Sequence, residues 1–278
     1  MDTSQNHGLW TMGKGEFEES VKQVEGAIAK RGGNPRQLFD RIRTDASFTD
    51  RIAEFMLRSS GLQGSVHHQL ARTIMGKNFF GIEEWSAYGV NFSKKQLREV
   101  TKFPWNKDIL NAPCPFVKDK SIRETHFAFL GLYAIRGKPL TIIMWQELLH
   151  PALGQPRFSS YASDSWYENE TFANFMTCAF RWYLMPLEII LKPTDKPQSQ
   201  IEMLPPEYEV PFAIEEATKD LLYYRKNGVY LNSIRYGRCK ENVHVGYFDS
   251  EGLKFFRWKP FCYCLYNFGL AASRKPPQ

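Results

Sequence analysis

The sequence has no apolar run of the ~18–20 residues that a membrane-spanning helix needs. The longest, FAFLGLYAI at 127–135, is far too short. The N-terminus, MDTSQNHGLWTMGKGEFEES, lacks a basic start followed by an apolar core, so no secretory signal is expected. The chain therefore reads as cytoplasmic, with no membrane partner. Cysteine is scarce and odd in number: Cys114, Cys178, Cys239, Cys262 and Cys264. No C-x-x-C occurs, and no Cys/His set has zinc-ligand spacing, so reduced thiols, no metal and no cofactor are expected. There is no G-x-S-x-G, no H-E-x-x-H and no phosphate-cradling glycine loop, which leaves no catalytic signature. No internal repeat and no low-complexity stretch is present.

What is present is ordinary globular composition: 278 residues, 43% hydrophobic and 24% charged. That length suits one large domain or two modest ones. Aromatics reach 15%, and such residues fill cores or make contact surfaces at low entropy cost. The net charge of +6 permits an anionic partner without demanding one. His67, His68, His126, His150 and His244 are not paired by spacing with a nucleophile, so structural roles are expected. Glu18-Glu19 and Glu215-Glu216 are expected on exposed helix faces as solvated charge.

Residues 16–76 read as helical. Val21, Val24 and Ile28 share a helix face, and Gly32-Gly33 stops that helix. Asn34-Pro35 supplies an N-cap followed by proline at the first helical position, before the stripe Leu38, Phe39, Ile42. Ser47 and Asp50 resemble a capping box opening a helix with Ile52, Phe55 and Met56. A fourth helix is expected over Val66–Met75. Between Arg31 and Lys77 stand 8 Lys/Arg against 4 Asp/Glu, which allows a nucleic-acid-associated protein acting through basic helices 31–77.

From Gly76 the texture becomes mixed. Ser93–Thr101 reads as a capped helix, Thr125–Leu132 as a strand, and Phe180–Leu191 as a strand pair or one bent strand. Val210-Pro211 opens an amphipathic helix with Ile214, Ala217, Leu221 and Leu222 on one face, closed by Asn227-Gly228. Short strands then follow in VYLNSI, VHVGYF, LKFFRW and NFGLAAS, with a turn at Asp249–Gly252. The fold class is α+β. The C-terminal run KFFRWKPFCYCLYNF concentrates aromatics without a clean period of two, and Pro260 excludes an uninterrupted central strand. Composition leaves it open as either core or contact surface.

The flanks VHVGYFDSEGLKF and FGLAASRK resemble the C-terminal framework of the variable proteins of diversity-generating retroelements, GVYLNSIRYGRC resembles the entry to their variable region, and IMGKNFFGIEEW at 74–85 resembles a frequent opening of one bacterial branch. That resemblance implies a small N-terminal helical module over 1–73. It also implies a C-type lectin-like domain over 74–278, with the diversified segment at about 230–268 and the strand at 125–132 expected to pair with the C-terminal strands. Adenine-directed mutagenesis in such proteins rewrites chosen codons with NNY outcomes, which exclude Lys, Gln, Glu, Met and Trp. Phe255-Phe256 and Phe261-Cys262-Tyr263-Cys264-Leu265-Tyr266-Asn267-Phe268 obey that rule, whereas Lys254, Trp258 and Lys259 do not, and Trp258 reads as framework at the edge of the site.

The resemblance thus implies a non-catalytic protein that binds a ligand, a protein or other macromolecule. The binding residues would be Phe255, Phe256, Phe261, Cys262, Tyr263, Cys264, Tyr266 and Asn267, bordered by Asn232, Ser233, Tyr236 and Trp258. Calcium-dependent sugar binding is not implied, because neither a Glu-Pro-Asn-type run nor a Trp-Asn-Asp occurs. The relatedness of formylglycine-generating enzymes to this fold implies an alternative, a thiol oxidase using Cys262 and Cys264.

Overall fold

The computed structural model describes residues 14–49, 52, 66–149, 157–159, 162–190, 201–202, 204–257 and 267–277. The chain divides into two compact units, Met1–Gly64 with Ile82–Leu97, and Ser65–Gly81 with Arg98–Gln278. In the first unit, α1 (Lys14–Ala29) ends where Gly32 adopts φ 76° and the Gly33 N–H bonds the Ile28 carbonyl at 3.1 Å. Helix α2 (Pro35–Thr44) starts on the expected cap: Asn34 Oδ1 accepts from the Gln37 N–H at 3.3 Å, with Pro35 at the first helical position. The next turn differs from expectation. Asp45, not Ser47, is its cap, accepting from the Phe48 N–H at 2.9 Å and the Ser47 hydroxyl at 2.8 Å. These bonds hold its carboxyl below the usual range. Asp50, Phe55 and Met56 lie outside the described residues.

Helix α3 (Val66–Met75) forms where the periodicity places it, but it belongs to the second unit, so the chain does not divide at residue 73 as expected. The reason is packing. Ala71 and Met75 are buried, and the His68 ring meets Trp182 edge-on at 4.9 Å while its Nε2 bonds the Val100 carbonyl. His68 thus faces a core rather than solvent.

The second unit holds two main sheets. In the first, β1 (Phe79–Phe80) runs parallel to β2 (His126–Leu130), which pairs antiparallel with β5 (Trp182–Pro186). Every residue of these strands is buried, as expected of sequences such as HFAFL and WYLMP that carry no polar alternation. Strand β2 was expected to pair with the C-terminal strands. Instead β11 (Ser273–Arg274) pairs with β6 (Tyr208–Glu209), and a small hairpin joins β3 (Ala134–Ile135) to β4 (Lys138–Pro139). The second sheet has the order β10 (Phe268–Leu270), β7 (Tyr236–Arg238), β8 (Val243–Asp249), β9 (Gly252–Arg257). Two of the described helices shield core: α4 (Ile142–Leu148), and α5 (Ala213–Asn227), which contacts both sheets.

Helix α5 is capped by Glu215, which accepts from the Phe212 N–H at 2.9 Å, and it ends at Gly228 in the left-handed conformation, φ 66°. The expectation of an amphipathic helix needs correction: every residue from Ala213 to Tyr223 is buried. Glu215 and Glu216, expected as solvated charge, are 4% and 1% exposed. Glu18 and Glu19 are exposed. The buried polar groups of α5 are tied in place. Lys219 Nζ donates to Glu216 Oε1 at 2.5 Å and to the Pro186 carbonyl at 3.2 Å, and sits 3.4 Å from Asp220 Oδ1. Asn232 reaches Asp220 at 3.5 Å and accepts from the Ile189 N–H at 3.0 Å. Two carboxylates thus share one ammonium, and burial drives the Asp220 carboxyl up to about 8.

Candidate binding face

The second sheet is two-sided in chemistry because side chains alternate along each strand. Val243 and Val245 of β8 point inward with Leu253 and Phe255 of β9, all 3% exposed or less. Phe255 is held in a ring cluster, with centroids 4.5 Å from Tyr167, 5.9 Å from Phe158 and 6.4 Å from Phe172. The opposite face carries the alternate residues. His244 lies across from Phe256, Arg238 from His244, and Phe268 beside Tyr236.

Strict alternation would turn Tyr247 inward, and a β-bulge prevents it. Gly246 has φ 144° and Tyr247 φ 48°, and the Tyr247 N–H bonds the Arg235 carbonyl at 2.7 Å. A Cβ at residue 246 would stand 2.2 Å from that carbonyl oxygen, so only glycine fits. The bulge stacks Tyr247 on Tyr236 at 5.3 Å while Phe248 enters the core. The outcome is a contiguous set of rings drawn from all four strands. Tyr236 lies 5.1 Å from Phe268 and 5.9 Å from Phe256; Phe268 lies 5.3 Å from Phe256 and 4.8 Å from His244.

Both edges of this sheet are covered rather than open. Ile190 and Leu270 exchange two backbone bonds, at 3.1 and 3.0 Å, along β10. Arg157–Ser159 runs along β9, and Trp166 Nε1 donates to the Phe255 carbonyl at 3.0 Å. The framework is thus held by backbone bonds at its edges and by inner-face packing.

Charge on the outer face is positive. Lys254 Nζ lies 5.0 Å above the Tyr247 ring and 2.9 Å from Glu251, while Arg238 donates to Asn242 at 3.0 Å. Burial, with Arg238 nearby, pushes the His244 imidazole down to about 3, so it is neutral near pH 7. His126 is neutral for the same cause, pushed to about 3 by burial, with Thr125 and Tyr208 as partners at 3.0 Å each. The Cys178 thiol, buried, is pushed up to about 12, and Cys239 is raised as well. None of these groups is tuned for proton transfer or nucleophilic attack near neutrality. Among the described residues, no three His, Cys, Asp or Glu side chains gather to hold a metal.

The expected site residues fall into three groups. Phe256 and Tyr236 lie half-buried on the outer face, and Asn267, half-buried, accepts the Tyr236 N–H on its carbonyl at 2.8 Å at the entry to β10. Phe255 is a correction. At 3% exposure it belongs to the inner face, because adjacent strand residues point to opposite sides. Asn232 is also corrected: its side chain ties α5 to Ile189 rather than bordering a surface, and its φ of 53° sits in a loop where a strand was expected. Ser233 is exposed in that loop. Trp258, Phe261, Cys262, Tyr263, Cys264 and Tyr266 lie outside the described residues, as does His150. Sequence reasoning did not single out His244 and Tyr247, and it took Phe268 only as the end of the rule-obeying run. Alternation in VHVGYF signals His244, and Gly246 within a strand signals the bulge that redirects Tyr247.

Compared with known proteins, the chain matches no family model, no curated protein and no solved structure. Among the described residues, no helix is long and apolar enough to cross a membrane.

Proposed function

We propose that the outer face of the β10-β7-β8-β9 sheet is a ligand-binding surface of a variable protein of a diversity-generating retroelement. On this reading residues 228–275 close a C-type lectin-like domain, the protein is not an enzyme, and its ligand is a protein or other macromolecule. One observation carries the reading. Tyr236, Tyr247, Phe256 and Phe268, each half-buried, form one ring cluster on the side opposite Val245 and Phe255, with the buried His244 packed against Phe256 and Phe268. Every one of these residue types is an NNY outcome. A patch of rings on a rigid sheet is what exchangeable contacts need, since each exchange alters area and polarity while the inner face keeps the fold. A few such anchors can supply ~2 kcal/mol or more each to binding.

The gene's surroundings test this reading. The expected finding is a neighbouring reverse transcriptase gene and an imperfect copy of this gene's 3′ end that differs at adenines. Those differences should fall in the codons of outer-face positions 256 and 268, and spare those of 244, 245, 253 and 255. A locus with neither the enzyme nor the copy contradicts the proposal.

A further inference from the structure

The helical hairpin of the first unit has an apolar face that stays open among the described residues. Among the described residues from Glu18 to Thr49, none is buried. Val21, Ile28, Leu38, Phe39 and Ile42 stay half-exposed, and Val24 is 42% exposed. Between α1 and α2 lies an open groove of about 920 Å³, walled in part by Val21, Ala29, Pro35 and Phe39. Two helices with apolar stripes and no buried side chain among their described residues call for a partner surface, because helical stability in proteins comes chiefly from covering such a stripe.

The charges say what covers it. Helix α1 carries four glutamates against two lysines, and α2 carries three arginines against one aspartate. Among the described residues these opposite signs form no ion pair with each other. The ion pairs of this region, Arg41–Asp45 at 3.5 Å and Arg43–Asp40 at 3.1 Å, lie along α2 and its end. Among the described residues none joins α1 to α2.

We propose that this hairpin is the contact through which two copies of the chain associate. A two-fold axis places the acidic α1 of one copy against the basic α2 of its partner, and the same pairing occurs twice. It also brings the Val21/Val24/Ile28 stripe of each copy onto the Leu38/Phe39/Ile42 stripe of the other. A nucleic acid fits less well, since α1 carries four glutamates against two lysines and Glu25 lines the same groove as Arg36. Association gives one particle two binding faces, so weak contacts to a repetitive target become strong through linkage.

The test uses the full chain and light scattering, and its readout is mass, so it succeeds or fails independently of the ligand-binding reading. The parent should have twice the chain mass at low salt and shift toward one chain mass at high salt. One variant carries Glu18→Lys, Glu19→Lys and Glu25→Lys; a second carries Arg36→Glu, Arg41→Glu and Arg43→Glu. Each alone should be a monomer with retained helix content by circular dichroism, and an equimolar mixture should recover the dimer with one of each. Phe39→Asp should also give a monomer. A monomeric parent, a dimer that survives both charge sets, or two sets that remain monomeric when mixed would each overturn the proposal.

Discussion

Phe255 and Phe256 are neighbours in the chain, yet the first is stacked among Phe158, Tyr167 and Phe172 in the core while the second meets Tyr236 and Phe268 on the opposite face of the same sheet. The two therefore do different jobs. Phe255→Ala should destabilise the second unit by ~3–5 kcal/mol through lost burial and a cavity. Phe256→Ala should cost clearly less, because the backbone bonds of β9 and the inner face remain. Paired denaturant titrations of the two variants check this, and equal losses would remove the distinction between the faces.

Lys219 should be among the most sensitive positions. It is 1% exposed and serves both Glu216 and Asp220. Lys219→Met leaves two buried carboxyl groups without their cation, at an expected loss of ~3–5 kcal/mol at pH 7. Asp220→Asn should have the opposite tendency. The folded-state pKa of Asp220, about 8, lies above its ordinary value of 3.8. Its contribution is thus fully present below pH 3.8 and lost as pH rises through 8. The amide removes that dependence, so the variant should gain on the parent as pH rises from 4 to 8 in thermal melts.

Acid stability follows from His126 and His244. Both folded values, about 3, lie below the ordinary 6.5. Above pH 6.5 neither state binds the proton; below it only the unfolded chain does, so stability falls between pH 6.5 and 3. Each ring contributes at most about 1.4 kcal/mol per pH unit in that window. His244→Tyr should lower the slope of stability against pH by up to one proton's worth, measured by denaturant titrations at pH 7, 6 and 5. An unchanged slope would mean that His244 is not held neutral by burial.

Gly246 is the position where the face is most easily lost. A methyl group there would strike the Arg235 carbonyl at 2.2 Å, in a backbone conformation that other residues rarely adopt. Gly246→Ala should destabilise by ~1–3 kcal/mol through strain and lose the Tyr236–Tyr247 stack. A change in near-ultraviolet circular dichroism together with a lower melting temperature would show both effects, and a neutral substitution would mean that the bulge is not fixed by this glycine.

Local signals in the sequence located most elements. Asn34-Pro35, the Val66–Met75 stripe, Asn227-Gly228 and the Asp249–Gly252 turn each act within a few residues, so their physics is readable along the chain. What was not legible depends on tertiary partners. The partners of β2 are Phe79–Phe80 and Trp182–Pro186 rather than the C-terminal strands, and no local pattern encodes that choice. Glu216, Lys219 and Asp220 look like ordinary surface charge, and only the packing of both sheets around α5 makes them a buried trio. In the site itself, composition drew the eye to Phe255 along with Phe256, although the period of two in Leu253–Phe256 assigns them to opposite sides.

The central claim is that the outer rings are exchangeable contacts and not part of the fold. The measurement that tests it most directly is the melting temperature of the full chain with Tyr236, Tyr247, Phe256 and Phe268 all changed to Ser, beside that of Phe255→Ser alone. The account predicts that the fourfold variant stays folded and melts within a few degrees of the parent, while Phe255→Ser falls by about 10 °C. A fourfold variant that falls further than Phe255→Ser, or does not fold, would contradict it and return the outer rings to the core.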